Sequence, residues 1–181
     1  MDLNKWYDKG LTPEEYLDNL EFHKESCLHI YNHFSIPDAE ETFAKIKEKN
    51  FRVVALAEVW CGHCMLCVPI MLRIAEQAGM PVKFLPRDEN LELMDQYQTN
   101  GKRIIPIFIF IDEDGNEVTK WGPMSETTKS LVDEAKESLP AKDADDYDEK
   151  FKAYIKRMNK ELSENTKLWQ GTYESIVKTL V

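Results

Sequence analysis

A strand-like apolar run that leads straight into two cysteines constrains this chain more than any other feature. Phe51–Trp60 is nearly continuous apolar sequence, rich in valine, as a strand covered on both faces requires. Cys61-Gly62-His63-Cys64 follows at once, and the apolar density of Cys64–Ala78 then has helical spacing and stops at Gly79. Such a strand–turn–helix unit puts Cys61 at a helix N-terminus, where free N–H groups and the positive dipole end favour a thiolate. Cys64 falls one turn later, close enough to close a disulfide and more shielded, and Gly62 lets the backbone turn tightly between them. The thiolate is the attacking species in disulfide exchange, so the pattern points to redox chemistry.

The rest of the sequence builds a frame around this unit. Thr12-Pro13-Glu14-Glu15 predicts a helix start, with a capping-box spacing and a first-turn proline. Further helices are predicted over Leu20–Phe34 and over Pro37–Lys49, the latter capped by Ser35 or Asp38 and turning Phe43 and Ile46 inward. After the cysteine helix come a strand at Pro81–Arg87, a short helix at Asn90–Tyr97 with Asn90 as cap, and a buried strand at Pro106–Ile111. Asp114-Gly115 signals a hairpin into Asn116–Trp121, and Ser125 caps a helix to Leu139 with Leu131 facing inward. The order β-α-β-α-β-β-α, a parallel unit followed by a hairpin, is α/β architecture. Two amphipathic helices close the chain, with apolar stripes at Phe151, Tyr154, Ile155, Met158, Leu162 and at Leu168, Trp169, Tyr173, Ile176, Val177, Leu180.

Composition narrows the function classes. The 181 residues carry 23 Lys plus Arg against 33 Asp plus Glu, a formal net charge of −10. An acidic chain without a basic patch repels nucleic acid and anionic membrane surfaces, so neither is expected as a partner. No apolar run approaches the roughly 18 residues of a membrane span. The N-terminal segment has no apolar core or small-residue cleavage site, so it does not read as a signal peptide. The 4 cysteines are sparse for a secreted disulfide scaffold. The expectation is a cytoplasmic protein.

Trp60-Cys61-Gly62-His63-Cys64, Pro69 five residues on, Ile105-Pro106 at the head of a buried strand, and Gly115 and Gly122 occur in the order seen in the thioredoxin superfamily, which the chain resembles over roughly residues 50–140. The resemblance implies a thioredoxin fold, a central mixed sheet flanked by helices. An N-terminal helical extension (1–49) here replaces the usual first strand, and a C-terminal helical extension (141–181) packs on the same domain. It implies thiol–disulfide oxidoreductase activity, with Cys61 as nucleophile and Cys64 as resolving thiol. Pro106 would be a cis-proline, and Trp60, Gly62, His63, Ile105 and Pro106 would meet the substrate. The cycle would need no bound cofactor, only a protein or low-molecular-weight disulfide and a thiol reductant for recycling.

Several positions depart from the family pattern. Its buried carboxylate six residues before the first cysteine is Ala55 here, so the proton relay is missing or replaced. Glu58 is the nearest carboxylate in sequence, although its offset puts it on the opposite strand face, where it reads as a relay through strand-end geometry, as a strand-end charge or as a local partner. Met65 replaces a usual basic residue. His63, of the disulfide-isomerase type, would add positive charge beside the thiolate and raise the potential, or point into solvent with little effect.

The remaining candidates read more plainly. Cys67 reads as a buried helix thiol, with a backup resolving thiol or metal ligand as alternatives. His23 and Cys27 fall on a different helix face from His29 and His33, which argues against a single metal site. Lys102-Arg103 reads as a solvated pair or a contact for acidic partner segments. Two rival functions stand beside exchange: an adaptor with a vestigial dithiol, and a metal or Fe–S carrier.

Overall fold

A computed structural model describes all residues, 1–181. Its elements are α1 (Asn4–Lys9), α2 (Pro13–Asp18), α3 (Lys24–His33), α4 (Glu40–Glu48), β1 (Arg52–Ala57), α5 (Gly62–Ala78), β2 (Val82–Pro86), α6 (Leu91–Met94), β3 (Ile107–Ile111), β4 (Glu117–Trp121), α7 (Glu126–Glu137), α8 (Tyr147–Glu164) and α9 (Thr166–Leu180). Single 3₁₀ turns at Arg87–Glu89 and Asp95–Tyr97 flank α6.

The four strands form one mixed sheet in the order β2-β1-β3-β4. β1 and β2 are parallel, as their helical crossover requires, and β3 runs antiparallel to both β1 and β4. Every residue of β3 and all but the first of β1 are buried, which explains why both read as unbroken apolar runs rather than alternating ones. α5 packs against α3, α4, α8 and α9, while α1 and α2 lean on β2. One apolar cluster runs through the whole molecule and takes in residues from both terminal helical segments, among them Trp6, Ile30, Leu162 and Ile176. The sheet and its flanking helices are an α/β thioredoxin-like arrangement. No helix is long and apolar enough to cross a membrane.

Local signals act where the sequence places them. The Thr12 hydroxyl accepts the Glu15 N–H while Glu15 accepts the Thr12 N–H at 2.7 Å, a complete capping box. Ser125 caps α7 through the Thr128 N–H. Gly79 ends α5 in the left-handed conformation, φ +70°.

Other expectations are corrected. The predicted Leu20–Phe34 helix starts only at Lys24, because the chain must bend through Glu21–His23 to leave α2. α4 begins at Glu40, not Pro37, and neither Ser35 nor Asp38 caps it: Ile36 and Ala39 lie against the core, and Ala39 at φ −149° holds the N-cap position without a side-chain bond. Asn90 precedes α6 but turns its amide to the Pro86 carbonyl, 2.7 Å away, instead of capping. In α7 the inward residues are Thr128, Val132 and Ala135, with Leu131 only half-buried. The α8 stripe is buried at Met158 and Leu162, yet Phe151 and Ile155 are 39% and 42% exposed, because the first half of this helix meets α7 through Ala153 and Tyr154 and leaves Phe151 stacked only on its own neighbours Tyr147 and Tyr154.

Candidate functional site

The site sits where β1 gives way to α5. Cys61 occupies the N-cap position in extended backbone (φ −81°, ψ 122°), and its sulfur accepts the Cys64 N–H at 3.3 Å. The helix therefore begins on a cysteine sulfur instead of the usual hydroxyl or carboxylate. All four cysteines are free thiols. Cys61 is 8% exposed, and Cys64 and Cys67 are buried behind it.

The environment separates the two motif thiols. A hydrogen bond from the Cys64 thiol, the main-chain N–H groups of Cys64 and His63, and the charge of Arg87 hold Cys61 below the usual thiol range against the opposing effect of burial. Burial and the neighbouring Cys61 sulfur push Cys64 far upward, with a partial counter-effect from the Glu58 main-chain amide. Cys61 is the acidic member and Cys64 holds its proton. Burial, with the Cys61 charge behind it, pushes Cys67 well up, and burial alone takes Cys27 to about 12.

A second segment meets the cysteines from β3. The Ile105–Pro106 peptide is cis, and the Cys61 sulfur lies 3.9 Å from the Ile105 carbonyl oxygen. Gly122 passes so close to this loop that a Cβ there would run into the Pro106 carbonyl and come within 3.2 Å of the Ile107 Cα; its φ is +131°, reserved for glycine. The structure thus brings Trp60, Cys61, Gly62, His63, Cys64, Ile105 and Pro106 together. Trp60 is the exposed member, at 47%.

Glu58 is held at both ends. Its carboxylate accepts the Asp88 N–H at 2.9 Å, at the end of β2, while its main-chain carbonyl accepts the Cys61 N–H at 3.3 Å. Burial raises the carboxyl above its ordinary range, partly offset by that Asp88 bond. Beside it lies a cleft of about 480 Å³ lined in part by Tyr16, Ala57, Glu58, Pro86 and Glu89.

His63 is not the cation expected beside the thiolate. Its Nδ1 is buried with no hydrogen-bond partner, and desolvation, with Lys136 on α7 adding to it, pushes the imidazole below its ordinary value. The ring is neutral, and His63 helps Cys61 only through its main-chain N–H. The residue as a whole is half-buried, and α8 lies beside its neighbour in sequence, Gly62, where Asn159 packs.

Three residues at the site escape sequence reasoning. Arg87 sets its guanidinium over the Trp60 ring, 4.9 Å from the centroid, and donates to the Arg103 carbonyl at 3.0 Å, tying the motif to the cis-proline loop. Tyr16 reaches in from α2 to the Glu58 carbonyl at 3.2 Å. Asn159 comes from α8. All three depend on contacts distant in sequence; a basic residue at the end of the strand after the cysteine helix was the one legible hint, for Arg87. Of the predicted pair Lys102-Arg103, Arg103 is engaged by Asp95 at 2.6 and 3.0 Å, and Lys102 remains exposed. The His29 and His33 rings lie 4.3 Å apart, tilted by 34°, with Cys27 buried in the core, and no group of three or more His, Cys, Asp or Glu is placed to hold a metal ion.

Comparison with known proteins follows the same lines. A family model described as thioredoxin matches residues 10–136. Its span begins before α2 and so takes in most of the N-terminal helices. No curated protein matches the chain significantly. Among solved structures, a crystal structure of a protein of unknown function from Pseudomonas aeruginosa superimposes with a TM-score of 0.63 at 12% identity, covering 90% of this chain and 95% of that one. An HIV epitope-scaffold superimposes with a TM-score of 0.64 at 13% identity, covering 99% of this chain and 95% of that one. At these identities the likeness is one of fold.

Proposed function

The chain belongs to the thioredoxin family, and on that premise we propose that it is a thiol–disulfide oxidoreductase working through Cys61 and Cys64. The observation that carries this reading is the asymmetry of the pair: Cys61 at the helix N-cap, accepting the Cys64 N–H and held acidic beside the Ile105–Pro106 loop, with Cys64 buried and protonated.

In the reducing direction the Cys61 thiolate attacks one sulfur of a substrate disulfide, that S–S bond breaks, and one substrate thiolate leaves. Cys64 then gives up its proton and attacks the Cys61 sulfur. The Cys61–Cys64 bond forms as the mixed disulfide breaks, and the second substrate thiolate departs. The substrate has gained two electrons and the dithiol has lost two; a small-molecule or protein thiol reductant restores it. The oxidising direction is the same sequence reversed. Glu58, lining the adjacent cleft with a carboxyl raised by burial, is our assignment for the group that receives the Cys64 proton. Trp60 and the Ile105–Pro106 loop are assigned to contact the substrate. The proposed setting is the cytoplasm, and the proposed substrates are protein or low-molecular-weight disulfides.

A redox titration in glutathione buffers, with mass mapping of the paired cysteines, tests the proposal. A Cys61–Cys64 disulfide with a potential between about −300 and −150 mV places the chain among working oxidoreductases. Cys64→Ser should accumulate a mixed disulfide on Cys61, and Cys61→Ser should abolish exchange. An unaltered rate in Cys61→Ser, or no Cys61–Cys64 disulfide at any potential, refutes it and favours an adaptor role for the same fold.

A further inference from the structure

One acceptor under the dithiol serves two donors from distant parts of the chain. The Glu58 carbonyl takes the Cys61 N–H at 3.3 Å and the Tyr16 phenolic O–H at 3.2 Å. Glu58 is also held at its other end, where its carboxylate accepts the Asp88 N–H at 2.9 Å. The turn from β1 into α5 is therefore pinned at its first residue on both side chain and main chain.

Tyr16 has little freedom to leave this bond. It is 3% exposed, and its ring stacks on Phe84 at 4.3 Å between centroids and 14° between planes. Phe84 is the β2 partner of Ala55 in the parallel register. Paired residues of adjacent strands project from the same sheet face, so the phenol lies over the face on which Ala55 offers no polar group. Burial, reinforced by the neighbouring cysteine sulfurs and the Glu58 carboxylate, drives the phenol far above its ordinary range. It is thus a permanent donor.

We propose that Tyr16 is a positioning residue of the dithiol: its hydroxyl fixes the Glu58 carbonyl that anchors the Cys61 N–H, and so keeps the Cys61 sulfur where the Cys64 N–H reaches it. α2 is then part of the site, supplying from the N-terminal helices a polar group that β1 lacks. This assignment rests on the proposed exchange reaction for its purpose, but its geometry is separable from catalysis.

The test is Tyr16→Phe in the full chain, which keeps the stacked ring and removes one oxygen. The readouts are the pH dependence of Cys61 alkylation by iodoacetamide, followed by mass spectrometry, and the potential of the Cys61–Cys64 couple. The expected result is an alkylation midpoint about half a pH unit higher, hence roughly threefold less thiolate at pH 6.5, with a more reducing potential. Tyr31→Phe, which removes a hydroxyl bonded to Glu76 elsewhere on the molecule, should leave both readouts unchanged. A Tyr16→Phe protein with a lower melting temperature but the same midpoint and potential would reduce Tyr16 to packing and overturn the proposal, as would an equal shift in Tyr31→Phe.

If the exchange reading itself fails, the unmodified chain shows no turnover with any disulfide while the alkylation midpoint still moves on Tyr16→Phe. Should that variant not fold, hydrogen exchange on the unmodified chain decides: the Cys61 amide must exchange as slowly as those of β1, and exchange at the rate of an open loop rejects the anchor.

Discussion

Asn159 lies against Gly62: a Cβ placed on that glycine would sit 3.2 Å from the Asn159 Oδ1 and 3.9 Å from the Leu162 Cδ1. The C-terminal helix α8 is thereby seated on the residue between the two motif cysteines. Gly62→Ala should lower stability by about 1 kcal/mol, because the added methyl overpacks this contact. Asn159→Ala should restore most of the loss. Urea melts of the two single variants and the double variant should give a coupling of at least about 0.5 kcal/mol. Strict additivity would mean that α8 does not rest on the motif.

The desolvated imidazole of His63, its Nδ1 buried without a partner, makes stability depend on pH. In the unfolded chain a histidine titrates near about 6.5, whereas burial and Lys136 depress His63 in the folded protein. As pH falls below about 6.5 the unfolded state takes up a proton that the folded state refuses, so stability present above that pH is lost until the folded value is passed. The slope from this one group reaches at most about 1.4 kcal/mol per pH unit. His63→Phe should flatten the urea midpoint between pH 7.5 and 5.5 relative to the parent. Parallel pH curves for the two proteins would show that His63 is solvated and titrates normally.

Thiol reactivity should follow one order. At pH 7 iodoacetamide should add a single fast adduct at Cys61, the acidic thiol. Cys64, Cys67 and Cys27, all buried and pushed upward, should react at least about a hundredfold more slowly until the protein is unfolded. Peptide mapping against time reads this directly, and rapid labelling of Cys67 or Cys27 would contradict the described core.

Arg87 should matter to Cys61 more than its sequence position suggests. Arg87→Gln removes the cation over Trp60, weakens the tie to the Arg103 carbonyl, and deletes a charge that favours the Cys61 thiolate. The Cys61 titration, followed by thiolate absorbance, should move upward, and alkylation at pH 6.5 should slow by about two- to fivefold. Arg87→Lys should recover the charge effect but only part of the tie, since the guanidinium fork makes both contacts at once. An unmoved titration in Arg87→Gln would detach Arg87 from the site.

What could be read in advance follows from the range of the interactions. β1, α5 and β3 announce themselves through apolar density, and Thr12, Ser125 and Gly79 through chemistry that acts within four residues. The Ile105–Pro106 loop was legible only through resemblance, because nothing local in a prolyl peptide says that it faces a cysteine. The misreadings are long-range as well. His63 carries a charge on paper, but burial of its ring and Lys136 on α7, more than seventy residues on, disfavour that charge in the folded chain. Ser35 and Asp38 are good caps that go unused because Ile36 and Ala39 are drawn onto the core. Phe151 and Ile155 share the inward stripe of Met158, but periodicity cannot reveal which part of a helix face its neighbours cover. Tyr16 sits in a helix start whose caps were evident; that its hydroxyl would meet the Glu58 carbonyl was not.

Leu11 and Phe84 exchange both main-chain hydrogen bonds, at 2.8 Å each, just beyond the last helical turn of α1. A Cβ on Gly10 would come within 2.8 Å of the Lys83 Cβ, so only glycine lets the chain lie this close. A single residue thus closes the outer side of β2 at its centre. The opposite edge, β4, presents the exposed charges Glu117 and Lys120, a poor template for another molecule's strand. Both borders of the sheet are thus interrupted, β2 by the Leu11 bridge and β4 by its charges, an arrangement that disfavours edge-to-edge growth between copies.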